Sequence, residues 1–194
     1  MKKRRPTIPD RRNDIMYSEE KTLSSEMKFD GRVVKLFVDQ VELDNGTKTF
    51  RELIKHPGGV CVLPLDEDGN VYMVKQFRYP FMKALYEIPA GKLEYGEDHR
   101  ACGIRELKEE TGATAESFEY LGCIYPTVAY DTEIIHMYLA RGLSFGEQHL
   151  DEGEFLDVVK LPFGKVFEMA MNGELPDAKT QTAVLKTKLL LGNV

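Results

Sequence analysis

The sequence predicts an α+β domain in which helices cover both sides of a mixed central sheet, preceded by a β-hairpin. The order of the patterns indicates this class: a hairpin, several strands, one helix, further strands and two closing helices. The chain has 194 residues, a length that suits one hydrophobic core with an appendage. Hydrophobic residues make up 42% and charged residues 30%, which argues against a disordered chain, a coiled coil or a disulfide-stapled miniprotein.

The first pattern is a hairpin within residues 27–56. A turn at residues 44–46 tolerates positive φ, and residues 47–54 form the returning strand. The apolar residues of the outgoing strand are Val33, Leu36, Val38, Val41 and Leu43. A hairpin alone is marginal in water, so it needs a second surface, either the main domain or another copy of the chain. We therefore expect a basic tail at 1–26, mobile in part, a hairpin subdomain at 27–56 and the main domain at 57–194.

The main domain begins with a short apolar strand at residues 60–65, where the central sheet starts. Residues 66–70 form a turn, and residues 71–77 form the antiparallel return strand. The remaining elements are predicted as strands at 85–89, 118–124, 134–140 and 155–161 and as helices at 97–111, 163–171 and 178–191.

The helix predicted at residues 97–111 has the clearest helical period in the chain. Acidic residues stand at the positive end of its dipole, and a glycine follows its last turn. At about 100° per residue, Ala101, Ile104 and Leu107 share one side with the aliphatic stem of Lys108. The helix is therefore expected to be amphipathic, with these residues on its apolar side.

Three carboxylates, those of Glu106, Glu109 and Glu110, fall on roughly the opposite side of that helix. A solvated helix face normally mixes charges of both signs at spacings of three and four residues. Like charges about 5.5 Å apart repel by roughly 3 kcal/mol at an effective dielectric near 20, before solvent and salt reduce this value. A hard dication such as Mg²⁺ or Mn²⁺ would relieve the repulsion, because it binds carboxylates together with substrate phosphates. The alternative is a surface helix that happens to be acidic.

Charge and cysteine usage limit the partners and the compartment. A net charge of −6 argues against general binding to nucleic acid or to anionic membranes, since both need a basic surface. Cys61, Cys102 and Cys123 include no C-x-x-C pair and predict reduced thiols. The basic start lacks the apolar segment of a signal peptide, and no apolar run approaches the roughly 18 residues that span a bilayer. We therefore expect a cytoplasmic protein.

A spaced motif surrounds the acidic helix. Gly91 is followed after five residues by Glu97, and after seven more by residues 105–113, which read Arg-Glu-Leu-Lys-Glu-Glu-Thr-Gly-Ala. This spacing resembles the signature of the Nudix hydrolase family at every fixed position. The resemblance implies an α/β/α sandwich in which a loop, helix, loop unit holds divalent metals against a diphosphate through its glutamates. It also implies that Glu97 and Arg105 form a structural pair that steadies the helix.

Stretches outside the motif are similar to the ADP-ribose and nucleotide-sugar pyrophosphatase branch of that family, and the likeness extends from Met27 onward. These stretches are residues 51–58, 74–78, 87–94, 150–154 and 177–180. The branch implies a nucleoside diphosphate sugar as substrate. It also implies an intertwined homodimer, in which the hairpin lends residues to the adenosine pocket of the other subunit.

The resemblance also implies roles for individual carboxylates. Glu106 and Glu110 would be the central metal ligands, with Glu109 assisting them. The other implied positions are the carbonyl of Ala90 and Glu154 as metal ligands, and Glu152 as the catalytic base. An acidic surface turn is the alternative for residues 151–154; beside the motif, a carboxylate there suits the removal of a proton from an attacking water.

Two arginines and two phenylalanines are candidates for substrate contact. The guanidinium groups of Arg51 and Arg78 match phosphate oxygens in two places, and an exposed salt bridge is the alternative for each. Phe29 or Phe37 would stack on a purine, or else simply pack the hairpin.

One loop departs from the branch. Residues 125–133 keep a proline and an acidic end at Asp131 and Glu133, but they lack the glycine of the branch's Ser-Pro-Gly run. This loop should border the terminal sugar of the substrate. The departure therefore bears on sugar specificity more than on hydrolysis.

We therefore predict Mg²⁺-dependent hydrolysis of the pyrophosphate bond of ADP-ribose or a related nucleoside diphosphate sugar, giving a nucleoside monophosphate and a sugar phosphate. Two alternatives stay open. One is hydrolysis of another nucleoside diphosphate derivative, such as a dinucleoside polyphosphate. The other is a non-catalytic Nudix module that senses a nucleotide, a role that would tolerate loss of the motif glutamates, all of which are present here.

Overall fold

The computed structural model describes residues 19–150 and 153–192, which divide between Leu53 and Ile54 into two compact units. The first unit is built on the strands β1 (Lys21–Asp30), β2 (Lys35–Glu42) and β3 (Lys48–Lys55). They form one sheet in the order β1-β2-β3. The predicted hairpin corresponds to β2 and β3, and its turn is closed by a hydrogen bond from the Leu43 amide to the Thr47 carbonyl.

The prediction from sequence omits β1, which begins inside the segment expected to be a tail. All ten residues of β1 are exposed, and apolar and polar side chains alternate only from Glu26 onward, so the first half of the strand lacks the usual sign. Antiparallel pairing with β2 places opposite charges across both ends of the ladder, Lys21 opposite Glu42 and Asp30 opposite Lys35. Residues 1–18 of the expected tail lie outside the described residues.

The second unit contains two sheets and three α-helices among its described residues. In chain order the elements are β4 (Gly59–Pro64), β5 (Asn70–Arg78), β6 (Lys83–Glu87), β7 (Ala90–Lys92), α1 (His99–Thr111), β8 (Ala113–Ile124), β9 (Ile135–Phe145), β10 (Leu156–Pro162), α2 (Phe163–Met171) and α3 (Ala178–Leu191). A four-stranded sheet has the order β7-β4-β9-β8, and a three-stranded sheet has the order β10-β5-β6. No helix in the described ranges is long and apolar enough to cross a membrane.

The four-stranded sheet is mixed, as predicted, because β4 runs parallel to β9 and antiparallel to β7. The prediction that residues 71–77 return beside the first strand is wrong. Both sides of β4 are already occupied by β7 and β9, so β5 pairs instead with β10 and β6 in the second sheet. One isolated bridge, between Leu65 and Val71, marks where the chain passes from one sheet to the other.

Alternate residues of β4 face opposite sides of the sheet, and helices cover both sides. Val60 and Val62 pack in a cluster with Leu107 of α1, whereas Cys61 and Leu63 pack in a second cluster with residues of α2 and α3. All four β4 side chains are buried. The predicted arrangement of helices on both sides of a mixed sheet is therefore confirmed.

Helix α1 turns a different side to the sheet from the one predicted. Ala101, Ile104 and Lys108 are exposed, and the buried side is formed by Cys102, Gly103 and Leu107, with Glu110 and Thr111. Gly103 allows a close approach, since a Cβ there would lie 3.0 Å from a methyl group of Val60. The predicted apolar side was wrong apart from Leu107, because Glu106 and Glu110, placed opposite it, face the edge of the sheet.

Candidate active site

Strand β7 is an edge strand whose outer side faces the carboxylates of α1. The Val62 amide donates to the Pro89 carbonyl, so the next residue, Ala90, lies between ladder hydrogen bonds and directs its backbone groups away from β4. The amide of Ala90 donates to Oε2 of Glu110 at 3.1 Å. The carbonyl of Ala90 is directed toward the same open edge of the sheet.

Gly91 makes room for Glu106. A Cβ built on Gly91 would overlap the carboxyl group of Glu106, so no residue with a side chain fits at this position without moving that carboxyl. Because Glu106 lies over Gly91 and Glu110 is bonded to Ala90, two consecutive residues of β7 form a cradle for two carboxylates one helical turn apart. The spacing of the motif from glycine to glutamates thus has a direct steric meaning in this chain.

Burial and neighbouring carboxylates raise the pKa of both glutamates of the cradle. Burial, followed by the charges of Glu154 and Glu106, raises the pKa of Glu110 to about 8, although the Ala90 amide and Lys179 oppose this shift. The pKa of Glu106 is also raised, first by burial and then by Glu109 and Glu154, against the opposing effect of Arg105. The structure therefore brings Glu106, Glu110 and Glu154 within electrostatic range of one another.

Arg105 is the cation that offsets part of this charge. Its Nη1 lies 2.8 Å from a carboxylate oxygen of Glu106 and 2.8 Å from one of Glu109. The guanidinium also pairs with Glu97 at 3.4 Å. Glu109 is thus turned toward Arg105, whereas the carboxylates of Glu106 and Glu110 lie against β7.

The donor set of the cradle consists of oxygen atoms, which is the chemistry that Mg²⁺ and Mn²⁺ prefer. Within residues 19–150 and 153–192, no three His, Cys, Asp or Glu side chains are already arranged as a complete metal site. Two carboxylates, one buried and one half-buried, that share this edge with the Ala90 carbonyl nevertheless fit a dication, since its charge would offset theirs. The residues present are therefore compatible with a hard divalent metal.

Glu152, the predicted catalytic base, lies outside the described residues, as does Asp151. The chain before this gap is held against the C-terminal end of α1. The side-chain amide of Gln148 donates to the Glu110 carbonyl at 2.6 Å, and the His149 amide donates to the Glu109 carbonyl at 3.0 Å. The chain after the gap brings Glu154 into range of the cradle.

Arg78 is engaged by a buried carboxylate that sequence reasoning did not single out. Its guanidinium forms two hydrogen bonds to Glu87, at 2.6 and 2.8 Å. Glu87 also accepts a short hydrogen bond from Lys179, whose ammonium lies 2.9 Å from Asp177. Burial raises the pKa of Glu87, but the bonds to Arg78 and the charge of Lys179 outweigh burial and lower it overall.

A cavity of about 590 Å³ opens beside this ion-pair network. Its lining includes Arg78, Phe81, Lys83, Pro176 and Lys179. The lining combines apolar surface with three cationic side chains and with the carboxylates of Glu87 and Asp177, which pair with two of these cations.

Asp131 and Glu133 lie together in the loop that departs from the branch. The Glu133 amide donates to the Asp131 carboxylate at 2.9 Å, and the Glu133 carboxylate lies 3.6 Å from Nδ1 of His56. Burial, with the charge of Asp131, raises the pKa of Glu133, while His56 opposes the shift. Among the described residues, these contacts do not join Asp131 or Glu133 to the motif glutamates of α1.

Arg51 and Phe29, the other predicted substrate contacts, belong to the first unit. Arg51 forms a two-point ion pair with Glu20, with Nε 2.8 Å from Oε2 and Nη2 2.5 Å from Oε1. The side chain of Phe29 is 58% exposed. Both side chains are therefore at the surface of this unit, and that of Arg51 is already paired with Glu20.

The geometry agrees with what comparison with known proteins finds. A family model described as the NUDIX domain matches residues 55–181. The chain belongs to the Nudix family. The interpretation of the sequence as a Nudix pyrophosphatase is thereby confirmed.

Two bacterial relatives and one solved structure resemble this Nudix protein over most of its length. It is 45% identical to a methanol dehydrogenase activator of Bacillus methanolicus and 43% identical to an ADP-ribose pyrophosphatase of Bacillus subtilis; each alignment covers 86% of this chain and 91% of the relative. A crystal structure of an ADP compounds hydrolase superposes with a TM-score of 0.79 at 19% identity, covering 89% of this chain and 94% of that one. This structural likeness confirms the fold.

Gly91→Ala should disrupt the cradle while leaving the fold intact. The added methyl group must displace the Glu106 carboxyl, so Mn²⁺ affinity should fall by about tenfold or more, measured by electron paramagnetic resonance on the purified variant. Gly164→Ala is the matched control, because a Cβ at that helical glycine meets open space. Mn²⁺ binding equal to that of the wild type in Gly91→Ala would contradict the steric role of Gly91.

Glu110 should make the metal-free protein less stable as pH rises. Its pKa is about 8 in the fold against an ordinary 4.5, so between these values the folded state binds more protons than the unfolded state and stability declines with increasing pH. Glu110→Gln should flatten this dependence and raise the free energy of unfolding at neutral pH by on the order of 1 to 3 kcal/mol. Urea denaturation across that interval in excess chelator measures both proteins; identical profiles would refute the prediction.

Proposed function

We propose that this Nudix protein uses Mg²⁺ to hydrolyse the pyrophosphate bond of ADP-ribose or a related nucleoside diphosphate sugar, releasing a nucleoside monophosphate and a sugar phosphate. The observation that carries the proposal is the convergence of buried Glu110 and half-buried Glu106 on the edge of β7, with Glu154 in electrostatic range. Burial and neighbouring carboxylates raise the pKa of both glutamates, and Arg105 and Lys179 offset only part of this effect. A dication that also binds a diphosphate explains their position.

Glu106, Glu110, Glu154 and the Ala90 carbonyl would hold the metal, with Glu109 assisting. When bound, the metal would supply Lewis-acid chemistry, offsetting charge on the phosphoryl oxygens and making a water more acidic. Glu110 is positioned by the Ala90 amide and Glu106 by the space above Gly91, so neither needs to reorganise far. Arg105 would neutralise the carboxylate of Glu109 through their ion pair.

Glu152 would take the proton from the attacking water, since it lies in an acidic segment whose described ends flank α1. Arg78 would bind a phosphate or ribose oxygen at the rim of the cavity, with the guanidinium held in place by Glu87. Asp131 and Glu133 would border the terminal sugar. The name of the Bacillus subtilis relative, an ADP-ribose pyrophosphatase, supports this class of substrate.

Purified protein with Mg²⁺ should release nucleoside monophosphate from at least one substrate of a panel of ADP-ribose, ADP-glucose, UDP-glucose and GDP-mannose. If the protein hydrolysed dinucleoside polyphosphates but none of these nucleotide sugars, the alternative hydrolase function would be favoured. Tight binding of ADP-ribose without product would favour a nucleotide sensor. Because the loop at residues 125–133 departs from the branch, the comparison of ADP-ribose with ADP-glucose tests the sugar at constant base.

Substitution of single glutamates should separate metal ligands from the remaining acidic residues. Glu106→Gln and Glu110→Gln should each lower kcat by about 100-fold or more, whereas Glu109→Gln should lower it far less, because Glu109 is partly exposed and pairs with Arg105. Glu119→Gln, at an exposed glutamate of β8, is the control and should keep wild-type turnover. Equal, small effects for all four variants would exclude the assignment.

We also propose that the first unit pairs with a second copy of the chain. Of its described residues 19–53, only Val41 is buried, while Leu23, Met27, Phe29, Val33 and Phe50 are exposed. A three-stranded sheet without a covered apolar face needs another surface. In a homodimer, Phe29 and Arg51 would be available to the partner's substrate.

Phe50→Glu should therefore weaken self-association. The side chain is 57% exposed in the isolated chain, so a charge there costs the monomer little, but it would be buried in the dimer. Sedimentation equilibrium should show a dimer for the wild type and a shift toward monomer for the variant. A wild type that is monomeric at micromolar concentration would refute the dimer.

A further inference from the structure

The first turn of α3 is bonded to the strand that leads into the cradle. Thr180 has no solvent exposure, and its hydroxyl is fully used. The hydroxyl donates to Oδ2 of Asp177 at 2.6 Å and accepts from the amide of Ile88 at 3.0 Å. Asp177 is also the N-cap of the helix and accepts from the Thr180 amide at 3.0 Å.

Ile88 is two residues before the cradle. Its amide would otherwise point to no neighbouring strand, because β6 ends at Glu87 and β7 begins at Ala90. The bond to Thr180 therefore fixes the backbone in the short link between two sheets. Ala90 and Gly91, which receive Glu110 and Glu106, follow directly from this link.

The same turn of α3 holds the other side of the link through charge. Lys179 forms ion pairs with both Glu87 and Asp177, and its side chain is 11% exposed. Residues 87 and 88 are thus bonded to consecutive residues of α3. This arrangement joins a helix near the end of the chain to the edge strand beneath the motif glutamates.

We propose that Thr180 is a positioning residue for the carboxylate cradle, which it aligns through the Ile88 amide. The inference rests on the proposed function, since it takes the cradle to hold dications. Without the hydroxyl, the Ile88 amide would be buried without a partner, and the Ala90–Gly91 edge would lose one of the contacts that set its distance from α1. Loss of alignment would weaken metal binding and turnover more than it weakens substrate binding.

A second buried threonine on the same helix provides a matched control. Thr187 also has no solvent exposure, but its hydroxyl has no hydrogen-bond partner within the described part of the chain. Replacement of either threonine by valine removes one hydroxyl at nearly constant shape. Only the replacement at residue 180 removes a contact to the link.

The experiment compares the full-length wild type with Thr180→Val, Thr180→Ser and Thr187→Val. We expect Thr180→Val to lower Mn²⁺ affinity in the absence of substrate by about tenfold, with a similar fall in kcat and a change in KM of less than about threefold. Thr180→Ser keeps the hydroxyl and should restore both values, and Thr187→Val should match the wild type. If Thr180→Val does not fold, Thr180→Cys, with a weakly bonding thiol of similar size, should show an intermediate loss.

The outcomes separate this inference from the proposed function. If the wild type binds Mn²⁺ and Thr180→Val binds it equally well, Thr180 is merely structural and the inference fails. A rise in KM with unchanged Mn²⁺ affinity also overturns it, because it would place Thr180 in substrate binding. If the wild type itself binds no Mn²⁺ and hydrolyses no substrate, the proposed function fails first.

Discussion

The placement of two glutamate carboxylates against a sheet edge, one buried and one half-buried, is the constraint on which the rest of the second unit depends. A buried carboxylate is unfavourable unless it is hydrogen-bonded or neutralised. Here the Ala90 amide, the missing side chain of Gly91 and the cations Arg105 and Lys179 each offset part of that penalty. The negative charge that remains would be neutralised by a divalent metal that also binds a diphosphate.

Three stretches far apart in sequence converge on this edge. Residues 87–91 form the strand link and the cradle, residues 106–110 supply the carboxylates, and residues 177–180 hold the link from the other side. The two cores that flank β4 keep these stretches in register, because α1 packs on one side of the sheet and α3 on the other. The family motif covers Gly91 and residues 106–110 but not the link or residues 177–180, which hold the three-residue strand β7 in place.

Much of this arrangement could be predicted from sequence, and the failures have identifiable causes. The bounds of α2 and α3 match their predictions because their apolar periods and flanking turn residues are local signals. The buried side of α1 was predicted wrongly, because the sequence pattern does not show whether a carboxylate such as that of Glu110 is buried or exposed. The places of β5 and β7 depend on non-local pairing, which no local pattern reports. The motif identifies Glu106 and Glu110, but the bonds of Glu87 and Thr180 join residues 92 positions apart.

Arg105 holds Glu106 and Glu109 through a single nitrogen atom, at 2.8 Å from each. A substitution at Arg105 would therefore remove an ion pair from both carboxylates. Arg105 is thus a counter-ion shared by two of the motif glutamates, and through Nη2 it also pairs with Glu97.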